Sequence, residues 1–72
     1  MAHEAEVRRI AAAAYTDGWT SCAVGAPRNP PVGCASEKEW VRGWVENDIS
    51  LRLREDAEFL AAKRAAWQER NG

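Results

Sequence analysis

Apolar and polar positions along the chain follow a helical period, not the alternation of a strand. In the first third, Val7, Ile10, Ala11, Ala14, Gly18 and Cys22 recur at spacings of three and four, which places them on one face of a helix. The pattern predicts a first helix from about Glu4 to Val24, carried by the alanine run Ala11 to Ala14. Gly18 costs a helix interior about 1 kcal/mol relative to alanine. A close backbone approach by another helix is a physical reason to keep it. Gly25 is the expected stop.

Residues 25–35 read GAPRNPPVGCA, with three prolines and two glycines, and cannot be helix interior. After them Ser36 and Glu39 have the spacing of a capping box, immediately before Trp40. Val41, Val45, Ile49, Leu53 and Ala57 then follow at every fourth residue, with Trp40 and Trp44 beside the row, and Leu60 and Trp67 extend an apolar side to about Gln68. A helix of about 33 residues would be roughly 50 Å long, more than the first helix can cover. The second helix is therefore expected either to bend near Asn47–Ser50, where propensity is lowest, or to have its distal part covered by another chain. Glu58 is placed to pair with Arg54 and Lys63. The expected fold is all-α: a helix–loop–helix hairpin in a single domain, 1–72. It divides into helix one (4–24), loop (25–35), helix two (36–50) and a helical C-terminal extension (51–70).

Composition narrows the function. At 72 residues and 8.0 kDa the chain has one small core. Ten Lys and Arg stand against eleven Asp and Glu, so whole-molecule attraction to nucleic acid is absent and such binding would need a local basic patch. No apolar run approaches the ~20 residues of a membrane span, and the first ten residues lack the pattern of a secretory signal. No membrane association and a cytoplasmic location are the expectation.

Nothing marks a catalytic set. Residues 25–33 lack the lysine–hydroxyl pair of a phosphate loop, and His3 is the one histidine, so neither Cys22 nor Cys34 has an evident base or a metal-ligand set around it. A non-enzyme without cofactor, metal or small-molecule substrate is expected, with the thiols as small buried groups. The tryptophans carry more information. Folding back at the loop would bring Trp19, Trp40 and Trp44 together, as a core or as a stacking and docking surface. Gly43, between two of them, would let helix one pack close against it at Gly18. The structural residues are thus Gly18, Trp19, Trp40, Gly43 and Trp44, and the cations near that end are Arg28, Lys38 and Arg42.

The order Tyr15-x-x-Gly18-Trp19, Gly25, Asn29-Pro30 and Trp40-x-x-Gly43-Trp44 resembles the ribosome modulation factor-like family, over about residues 11–50. This group of small helical bacterial proteins includes plasmid-borne members linked to fluoroquinolone resistance. The resemblance implies a cytoplasmic helix–loop–helix protein that binds the small ribosomal subunit or its RNA and regulates translation. The loop motif Asn29 and Pro30, with Arg28, Lys38 and Arg42, would then lie toward RNA. The chain departs from the family in its slightly acidic charge, in Pro31 where an aromatic residue follows the Asn-Pro pair, and in the extension beyond about Leu53. Those departures define the alternative: a non-enzymatic protein-binding or homodimerising module, of phage or mobile-element origin, acting through residues 51–70. An enzyme of the kind proposed for the resistance-linked members ranks last, for want of a nucleotide-binding motif.

Overall fold

The computed structural model describes residues 2–72. The chain is all-α, with α1 (Ala2–Ala23), α2 (Glu37–Arg54) and α3 (Ala57–Asn71), and α1 packs on α2. The end of α1 is dictated by Gly25, which takes φ +91°. Its N–H reaches Cys22 O at 3.1 Å and the Ala26 N–H reaches Ser21 O at 2.9 Å, so the last carbonyls of the helix are satisfied in a Schellman arrangement.

Two glycines set the contact between α1 and α2. A methyl group on Gly18 would lie 1.8 Å from Trp40 O, and one on Gly43 would lie 2.1 Å from Tyr15 O. Each helix thus rests its backbone in the gap left by the other's glycine. On the flank away from the Gly18–Trp40 contact, the contacts advance in the same direction along both helices. Ser36 lies beside Ala11, Gly43 against Tyr15, and Asn47 donates from Nδ2 to Trp19 O at 2.8 Å. The loop does not simply reverse the chain; it returns along α1 before α2 begins.

The core is Ala14, Cys22, Trp40, Trp44, Leu51 and Leu60, with Cys34, Val41 and Val45 packed at its edge. The buried row of α2 is Trp40, Gly43, Trp44, Asn47, Asp48 and Leu51, not the every-fourth-residue row expected from sequence. Ile49 and Leu53 of that expected row are 55% and 82% exposed. In α1, Val7 and Ile10 are likewise exposed, because the helix extends beyond the start of α2 there.

The second helix is interrupted at Glu55–Asp56, not at Asn47–Ser50. The latter run stays helical because Asn47 and Asp48 are buried with polar partners. Glu55 is extended and its N–H closes α2 on Leu51 O at 2.7 Å; the Asp56 side chain accepts from the Glu58 N–H at 3.0 Å and starts α3. Arg54 and Glu58 therefore lie on separate helices, and the expected pairing of Glu58 with Arg54 and Lys63 is not made. Ser36 is the N-cap of α2, but its side chain makes no capping hydrogen bond, so the expected capping box is also not formed.

The extension does not project. α3 lies back on the body: Leu60 enters the core, Lys63 Nζ donates to Ala23 O at 3.2 Å, and Arg64 pairs with Asp48.

Candidate functional site

The three cations singled out by sequence have unequal freedom. Arg28 stands exposed on the loop and Lys38 is exposed in the first turn of α2; neither forms an ion pair among the described residues. Arg42, one turn beyond Lys38, is exposed but held. Its Nε donates to Glu46 Oε2 at 2.8 Å and its Nη1 lies 3.6 Å from Glu39 Oε2. Tyr15 donates its hydroxyl to the other oxygen of Glu46 at 2.8 Å. These bonds to Glu46 raise the pKa of Arg42 and of Tyr15. Those from Arg42 and then Tyr15 lower that of Glu46. Two carboxylates on one guanidinium leave this part of α2 without a positive surplus. Of these three cations, Arg28 and Lys38 face solvent unpaired.

The tryptophans divide as well. Trp40 and Trp44 are buried, and Trp44 Nε1 donates to Ala26 O at 2.9 Å, which ties the loop to α2. Trp19 is 37% exposed, not a core residue, and stands beside Tyr15 with ring centres 6.1 Å apart and planes tilted by 32°. Of the loop motif, Pro30 is half-buried and Asn29 is exposed. Asn29 lines the mouth of a cleft of ≈ 540 Å³ between α1, the loop, Trp40 and Trp67. None of Arg28, Lys38 and Arg42 lines that cleft.

Sequence reasoning missed a buried ionic centre. Asp48, with its side chain 10% exposed, pairs with Arg64 of α3 through one oxygen and with Arg52 Nε at 3.1 Å through the other. The bond to Asp48 raises the pKa of Arg64, whose guanidinium also lies 5.2 Å from the centre of the Trp44 ring. Cys22 sits beside this centre, and burial followed by the Asp48 charge pushes its thiol up. One signal was available: Asn47 and Asp48 fall three and four residues after Trp44, on its own face. Polar residues there read as a helix weakness because their partners are distant in sequence.

Both cysteines are free, Cys22 buried and Cys34 half-buried, and no group of three or more metal-ligating side chains occurs among the described residues. No helix among them is long and apolar enough to cross a membrane. No known protein family, curated protein or solved structure matches this chain.

Proposed function

We propose that the chain is a small, non-enzymatic ribosome-associated protein of the ribosome modulation factor type, which regulates translation by binding the small subunit. One observation carries the reading. The residues of the resemblance form a single unit, in which Gly18 and Gly43 interlock the helices and Trp44 pins the loop through Ala26. The motif residues thus form one scaffold in this chain, and that scaffold presents Asn29 and Arg28 outward on a tethered loop beside the start of α2. Arg28 and Lys38 are the residues that would meet phosphate, and Arg42 contributes less because Glu39 and Glu46 already hold it.

Sedimentation of the full chain with a bacterial lysate tests this. Co-migration with small subunits at low salt and release at high salt is the expected result. The Arg28→Glu, Lys38→Glu double variant should lose the association, while Arg42→Gln should weaken it only slightly. Absence from ribosome fractions at low salt would refute the reading.

The second reading is a protein-binding module working through residues 51–70. The exposed Leu53 and Phe59 favour it. Against it, the inward side of α3 is already occupied by Leu60 and Arg64 packing on the body. A discrete protein partner, lost on Leu53→Ser and Phe59→Ser, would select it.

A further inference from the structure

The cleft between α1, the loop, Trp40 and Trp67 brings together groups that share one chemistry. Trp67 supplies a half-buried indole ring, the buried Trp40 closes the floor, Pro27 and Pro31 supply walls that proline holds stiff, and Asp17 supplies the one charge in its lining. Glu39, Glu46 and Asp48 are engaged by arginines, whereas Asp17 makes no ion pair among the described residues. The hydroxyls of Thr20 and Ser21 add acceptors on the same wall. A phosphate would meet a carboxylate here and be repelled. A planar cation would meet that carboxylate, the Trp67 indole and several acceptors together.

We propose that this cleft receives an arginine side chain from an extended basic segment of a partner protein. Arginine fits better than lysine because its guanidinium stacks on indole while its fork of N–H groups reaches Asp17 and the hydroxyls. A volume of ≈ 540 Å³ holds the side chain and part of its flanking backbone. That the segment belongs to a ribosomal protein rests on the function proposed above; the ligand chemistry does not. On that reading a slightly acidic chain reaches the small subunit partly through protein, beside the phosphate contacts of Arg28 and Lys38.

The test follows the indole N–H signals of the full chain by NMR. The probe is a short acetylated and amidated peptide carrying one arginine among glycine and serine. Saturable shifts at the Trp67 indole are expected. They should weaken about tenfold or more when citrulline replaces arginine, since a charge-assisted hydrogen bond is lost. The exposed Asp17→Asn should weaken binding of the arginine peptide to the same degree, and Trp67→Leu should weaken it independently. Equal affinity for the citrulline peptide, or an unchanged Asp17→Asn protein, would overturn the proposal, as would the absence of saturation. Ribosome association unaffected by Asp17→Asn, with peptide binding lost, would remove the ribosomal source and leave the ligand standing. Peptide binding by a chain that never enters ribosome fractions would instead refute the proposed function alone.

Discussion

Gly43 shows how a single position is decided by its neighbour rather than by its own helix. Intrinsic propensity predicts that Gly43→Ala stabilises α2 by about 1 kcal/mol. The added methyl would meet Tyr15 O at 2.1 Å, and the helices would have to part. The expected outcome is a net loss of about 1–3 kcal/mol or more, read by urea denaturation, because overpacking outweighs propensity. Trp44→Ala should be harsher, about 3–5 kcal/mol, since it opens a cavity and frees the loop at Ala26. A thermal melt checks it, and an unchanged midpoint would mean that the ring is not buried. Glu46 gives a pH dependence with a definite sign. Its folded-state pKa is lowered by Arg42 and then Tyr15, so its contribution is present above the unfolded value of about 4.3 and is lost as pH falls through the folded one. The advantage of the parent over Glu46→Gln should therefore be seen at neutral pH and vanish in acid.

At the scale of the element, α3 is the case where sequence and structure part. Its composition and periodicity continue those of α2, and only the Asp56 cap and the extended Glu55 separate them. Once separated, α3 lies over Cys22 and Trp44, held by Leu60, Lys63 and Arg64. Removal of residues 55–72 should lower the melting temperature and open Cys22 to alkylation, whereas in the full chain Cys34 should be labelled first. Thiol titration of both proteins decides this. Equal rates for the two cysteines in the full chain would mean that α3 does not cover Cys22. Desolvation also raises the Cys22 thiol pKa, so the stability tied to its neutral form is present below the unfolded value of about 8.5. It is lost as pH rises through the folded value.

For the whole molecule the governing quantity is charge. A formal net charge of −1 gives phosphate no general attraction, so contact with RNA must come from cations that are locally unpaired. Releasing Arg42 by the paired changes Glu39→Gln and Glu46→Gln removes two negative charges. On the proposed function, association with ribosomes should then tighten and become more sensitive to salt. An unchanged salt dependence would place the start of α2 away from RNA.

The sequence by itself determined the all-helical class, the loop at 25–35, the stop at Gly25 and the interlocking role of Gly18 and Gly43. Each of these depends on local backbone chemistry: proline's missing donor, glycine's positive φ, or a missing Cβ on a helix face. Only the tertiary structure decided which face of α2 is inside, because Asn47 and Asp48 are tolerable in a core solely through the Trp19 carbonyl and the Arg52 and Arg64 guanidinium groups. It also decided that Ile49, Leu53 and Trp19 face outward, and that Arg42 is held while Arg28 and Lys38 are not. The cleft was invisible for the same reason: Asp17, Pro27, Trp40 and Trp67 come from four separate segments, and their meeting is a property of the packing.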